Sequence, residues 1–194
     1  MQKKSKFNVF TFMMLTILGL TFLPALSAYA ACPDGISSYW KLDEAAGPYA
    51  DFISDNVGTG NADPAATTEG VVNGAQQFDG ASTGIDVTAD SSFSWFQNES
   101  FSIELWIKRD GDIVAPGTNE VAIGRDDGDP LTSLHWWVGI DKDTNTAVFT
   151  LGDNNGGADL KAITGAKNIT DNVWHHVVAV RDADSDQNLL YVDG

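Results

Sequence analysis

Phe101-Ser102-Ile103-Glu104-Leu105-Trp106-Ile107-Lys108 alternates without a break. On an extended chain Phe101, Ile103, Leu105 and Ile107 fall on one side, and Ser102, Glu104, Trp106 and Lys108 on the other. A helix would scatter those four apolar side chains around its axis. The stretch therefore predicts a half-buried strand whose odd-numbered residues enter a core. Working outward, similar short segments recur every ten or so residues with Asp, Asn and Gly between them, at 36–42, 75–79, 85–88, 120–124, 134–140, 146–151, 160–163, 174–181 and 188–192. Helical periodicity is almost absent. About ten strands on this spacing predict an all-β, two-sheet antiparallel β-sandwich. Within it, 134–140 and 146–151 pair across the turn Asp141-Lys142-Asp143-Thr144-Asn145. Segments 75–79 and 85–88 form a hairpin through Gly80-Ala81-Ser82-Thr83-Gly84. Residues 93–96 make a short helical turn or an edge segment, and 51–70, rich in Asp, Asn, Gly, Ala and Thr, reads as a long connection with little to pack.

Composition narrows the class. The chain has 194 residues, 43% of them apolar, with ten Phe and six Trp, enough for one core and one domain. The formal charge of −16 repels phosphate backbones and anionic lipid, so nucleic-acid binding and peripheral membrane docking are disfavoured. Lys3, Lys4 and Lys6 precede an apolar run from Val9 to Leu23, followed by Ala28-Tyr29-Ala30. This is the pattern of a secretory signal peptide over 1–30, too short in its apolar part to span a bilayer. Cleavage after Ala30 removes three Lys and no acid and leaves a body, 31–194, with a formal charge of −19. Export of a bacterial type is expected, so the sequons at Asn98 and Asn168 carry no weight. Cys32, the single cysteine, has no partner within the chain. It is open to three readings: a lipid-bearing first residue, a free thiol, or a thiol paired with chain not present.

Five motifs occur in a fixed order: Tyr39-Trp40-Lys41-Leu42-Asp43-Glu44, Gly74-Ala75-Gln76-Gln77-Phe78-Asp79-Gly80, the 101–108 strand, Trp174-His175-His176-Val177-Val178-Ala179-Val180 and Leu190-Tyr191-Val192-Asp193-Gly194. Together they resemble the laminin-G-like, concanavalin A-like jelly-roll family over about residues 36–194. An Asp-Gly pair after an apolar strand starts a hairpin. A partner strand is therefore expected beyond Gly194, which makes 31–194 a C-terminally truncated jelly roll. The resemblance implies a secreted binding module for a glycan, glycoprotein or other surface partner, often with calcium. It also leaves open an accessory domain of a larger secreted glycoside hydrolase or adhesin.

Glycosidases need paired carboxylates, but Glu104 is flanked on its own strand face by Ser102 and Trp106, so no enzyme activity is expected. His175 and His176 are adjacent on a strand and point to opposite faces, which excludes a shared metal and makes them packing or network residues. His135 reads as a partly buried strand histidine. For calcium, which wants clustered oxygen ligands, the loop from Asp141 lacks the Gly and Glu of an EF-hand and reads as a turn. So do Arg125-Asp126-Asp127-Gly128-Asp129 and Asp153-Asn154-Asn155-Gly156. The resemblance implies Glu44, Asp55 and Asp79 as calcium ligands. Sugar stacking needs exposed aromatic faces, and Trp106 and Trp137, both out of the core register, are the candidates, with burial as the alternative for each.

Overall fold

The computed structural model describes residues 34–88, 90–95, 98–111, 119–125, 136–152 and 161–194. Among these, eleven strands form: β1 (Gly58–Ala62), β2 (Ala65–Thr67), β3 (Ala75–Gln77), β4 (Gly84–Val87), β5 (Phe101–Asp110), β6 (Glu120–Arg125), β7 (Trp136–Ile140), β8 (Thr146–Leu151), β9 (Lys161–Asn168), β10 (Asp171–Asp182) and β11 (Gln187–Val192). They make a three-stranded sheet in the order β11-β10-β5, a four-stranded sheet in the order β6-β7-β8-β9, and two small pairs, β1-β4 and β2-β3. Every pairing is antiparallel.

The alternation in β5 does what its sequence requires. Ile103 is buried, and Phe101, Leu105 and Ile107 pack against the core, while Ser102, Glu104, Trp106 and Lys108 are exposed. Cross-strand, Leu105 meets Val177 and Ile103 meets Ala179, so the inward face continues onto β10. Trp136, Val138 and Ile140 of β7 with Ala147 and Phe149 of β8 supply the opposing layer, and one cluster joins both sheets. The core is therefore the space between two sheets, as in a β-sandwich. β8 is central and buried on both faces from Thr146 to Thr150, which explains its nearly continuous apolar run.

Of the pair expected between 134–140 and 146–151, the described part, Trp136–Ile140, pairs with β8 as expected, with Val138 opposite Phe149. Asp141 closes their turn by accepting hydrogen bonds from the Asp143 and Thr144 amides at 3.1 and 3.0 Å. The N-terminal third departs from expectation. Residues 36–42 form no regular strand: Trp40 makes a single bridge to Asp51, and Leu42 turns into the left-handed region at φ 57°. The stretch expected to be a bare connection contains β1 and β2. Their Gly, Ala, Asn and Thr residues carry little strand propensity, and β1 is specified instead by close approach: a Cβ on Gly58 would lie 2.6 Å from the Ile85 side chain. The expected hairpin between 75–79 and 85–88 does not form, since β3 pairs with β2 and β4 with β1. The turn between them exists nonetheless, because Asp79 Oδ1 accepts the Ala81, Ser82 and Thr83 amides. Of the helical turn or edge segment expected at 93–96, the described residues show a 3-10 turn at Ser91–Phe93, and Phe96 lies outside them. Residues 1–33, including the segment expected to be a signal peptide and Cys32, lie outside the described residues, as do His135, 126–129 and 153–160.

Candidate functional site

The outer face of the three-stranded sheet is set by register. Ser102 lies opposite Val180, Glu104 opposite Val178, Trp106 opposite His176 and Lys108 opposite Trp174, while β11 places Tyr191 beside Val178. Trp106 is 49% exposed and Tyr191 47%. They stand two strands and one row apart, roughly 12 Å by ordinary sheet spacings. His176 lies against Trp106 with ring centroids 4.9 Å apart and a 34° tilt. Its Nε2 donates to Glu104 Oε1 at 2.7 Å, which fixes the proton on that nitrogen because a carboxylate only accepts. At one end of the face the loop after β2 is latched down: Trp174 Nε1 donates to the Glu69 carbonyl at 3.0 Å, and Lys108 Nζ lies 3.9 Å from the Glu69 carboxylate. The result is a flat surface with two open aromatic rings and a paired Glu–His between them. Such a surface offers apolar stacking and directional hydrogen bonding together.

Behind this face, on the core side of β10, sits His175, 2% exposed as a side chain. Its Nε2 is 2.9 Å from Asp171 Oδ1 and its Nδ1 is 2.9 Å from Asp193 Oδ2. Burial alone would resist charging the ring, but the two carboxylates overcome it and raise the pKa above the ordinary histidine value. Asp193, paired with Lys167 and His175 and bonded by the His176 amide, is held well below the usual carboxylate range. The two histidines thus take the opposite faces that strand geometry assigns them.

Trp137 is on the other sheet. It lies across from Thr150 and Gly124, on the outer face of β7 and partly buried. Because the two sheets pack core to core, Trp106 and Trp137 face away from each other and cannot share a ligand.

The residues put forward for calcium are placed as follows. Glu44 Oε1 accepts the Ala50 amide at 2.9 Å. Asp55 is exposed, and its main-chain carbonyl accepts the Val57 amide. Asp79 uses both carboxylate oxygens on its own turn, through Ala81, Ser82 and Thr83, and those amides hold it far below the usual range. Among the described residues no three His, Cys, Asp or Glu side chains gather as a metal centre would. Glu44, Asp55 and Asp79 therefore do not fit a calcium ion as a set. Glu44 Oε2 and Gln76 Oε1 are the solvent-shielded oxygens here without a donor, and Gln76 Nε2 already bonds the Leu42 and Glu44 carbonyls.

A laminin G family model described as the concanavalin A-like lectin/glucanases superfamily matches residues 59–194, from β1 through the end of β11. The chain belongs to this superfamily. The first of the five motifs, at 39–44, precedes the matched region, and the other four fall within it. Comparison with curated proteins and with solved structures gave no match. Membership in the lectin/glucanase superfamily carries the sandwich and points to a carbohydrate-binding or other binding domain, while the ligand has to be argued from the face itself.

Sequence reasoning missed Tyr191, and it left His176 among the packing residues. Alternation places Tyr191 outward, between Leu190 and Val192, but only the register of β11 on β10 brings it to the face that holds Trp106.

Proposed function

We propose that this domain is a secreted or cell-surface, non-catalytic module that binds a neutral carbohydrate chain across the outer face of β11-β10-β5. The observation that carries the reading is the presence of two half-exposed aromatic rings, Trp106 and Tyr191, on one sheet face with the Glu104–His176 pair between their rows. Pyranose rings present apolar C–H faces that stack on such side chains, and their hydroxyls both donate and accept, which suits a carboxylate beside an imidazole. A separation near 12 Å suits a chain of linked sugars better than a single ring. The strongly negative formal charge favours neutral over sulfated or uronic polymers. Support for a non-catalytic role comes from the neighbours of Glu104: Ser102 and Trp106 along the strand, Val178 across it, and His176 as hydrogen-bond partner, none of them the second carboxylate that glycoside hydrolysis needs. If the domain is carried by a larger secreted hydrolase or adhesin, the same face would hold the polymer for an activity elsewhere. No step of binding is routed through calcium.

The test is retention of the purified protein on insoluble cellulose, xylan, mannan and chitin, and on soluble sulfated and uronic polymers in affinity gels, each with calcium and with EDTA. Retention on at least one neutral polymer, unchanged by EDTA, is expected. Retention on none of them, or on the anionic polymers alone, would overturn the reading.

A further inference from the structure

We propose that Asp193 is a positioning residue for the Trp106–His176 face, and that it couples this face to the proton on buried His175. The inference rests on the binding-face reading above and extends it to a residue on neither stacking platform. One side chain grips both histidines: Asp193 Oδ1 accepts the His176 amide at 2.9 Å, and Oδ2 faces His175 Nδ1 at 2.9 Å. The Asp193 amide returns the contact by donating to the His176 carbonyl at 2.9 Å. The backbone of His176 is thus fixed at both its N–H and its C=O by a single residue, and the ring it carries lies against Trp106 and donates to Glu104. Asp193 also accepts from Lys167 on β9, which belongs to the opposite sheet, so its place is anchored from two layers. Its backbone is left-handed at φ 56°, a conformation that Asp and Asn adopt more readily than other non-Gly residues.

His175 supplies the coupling. Both its ring nitrogens face carboxylates, and both can donate only when the ring is charged. On losing a proton the ring keeps a donor toward one carboxylate and presents a lone pair to the other. The hold of Asp193 on the pair then changes. The charged groups around the ring are Asp171 at the start of β10, Asp193 after β11 and, through Asp193, Lys167 of β9. From β5 the facing residue is Ile107; two residues further along β5, where the pairing with β10 becomes irregular, Arg109 is engaged by Glu120. The ring's hydrogen-bonding carboxylates are thus Asp171 on Nε2 and Asp193 on Nδ1.

The experiment follows the Trp106 indole N–H and the His175 ring by NMR from pH 5 to 9 in ligand-free protein, with Trp106→Phe assigning the indole signal. A Trp106 transition is expected that shares the His175 midpoint, above the ordinary histidine value. Asp193→Asn keeps an acceptor for the His176 amide and suits the left-handed backbone but removes a charge from His175, so both midpoints should fall together by about one pH unit. Asp171→Asn, which touches only the far side of the ring, should lower both midpoints as well. His175→Gln should abolish the Trp106 transition. A Trp106 signal that stays fixed across this range, or that keeps its midpoint in both Asp→Asn variants, would overturn the proposal even where His175→Gln fails to fold. Because no ligand is present, coupling can fail while polysaccharide retention survives. The converse result, coupling without retention, would sink only the binding reading.

Discussion

Trp106 offers about half of its surface to solvent while Trp137 is partly buried, and position on the sheets makes the difference. Trp106 lies on the outer face of β5, beside a histidine and a carboxylate. Trp137 lies over the small residues Gly124 and Thr150, and the Thr150 hydroxyl is shut off from water. Trp106→Ala is therefore expected to weaken polysaccharide retention tenfold or more, equivalent to about 1.4 kcal/mol, with little change in melting temperature; affinity gels and thermal melting on the same samples would check both. Tyr191→Ala should weaken retention in the same direction. A different outcome is expected for Phe149, which is wholly buried between the sheets. Phe149→Ala should cost about 3–5 kcal/mol in urea unfolding through lost contacts and a residual cavity. Val121→Ala, at a position 59% exposed, should stay within about 0.5 kcal/mol.

At the scale of elements, β5, β7, β8, β10 and β11 were legible in the sequence because each alternates, or runs continuously apolar, over a length that local pattern resolves. The register of one strand on another was less so. β1 and β2 were hidden in a Gly- and Ala-rich stretch because what specifies them is close backbone approach, which leaves no periodic signal. β7 shows the same constraint, since a Cβ on Gly139 would come within 1.9 Å of the Glu120 carbonyl. Gly139→Ala should therefore push β6 from β7 and cost about 1–3 kcal/mol, measurable by urea denaturation. The hairpin β10–β11 is closed by ionised groups, and its stability should follow pH. The His175 pKa is raised above 6.5, so its contribution is fully present below 6.5 and is lost as the pH climbs through the raised value. The carboxyls of Asp171 and Asp193 are lowered from 3.8, so theirs is present above 3.8 and is lost as the pH falls through the lowered values. Melting temperature should accordingly be highest between these limits, and a profile that rises steadily through pH 8 would count against the charged His175.

For the molecule as a whole, the fold class followed from alternation and motif order, and the matched superfamily agrees with it. The proposed binding face was only half legible. Trp106 was in view, but Trp137 was put beside it and Tyr191 was missed, because a face is a property of register and packing. The three acids proposed for calcium show the same limit: Asp79 is a turn former whose oxygens are already taken. The central claim is that the outer face of β11-β10-β5 carries the ligand. It is tested most directly by comparing Trp106→Ala with Trp137→Ala on whichever neutral polysaccharide retains the unmodified protein. Loss of retention in Trp106→Ala with retention kept in Trp137→Ala is the predicted result. Retention undiminished in Trp106→Ala, or lost instead in a folded Trp137→Ala, would contradict the account.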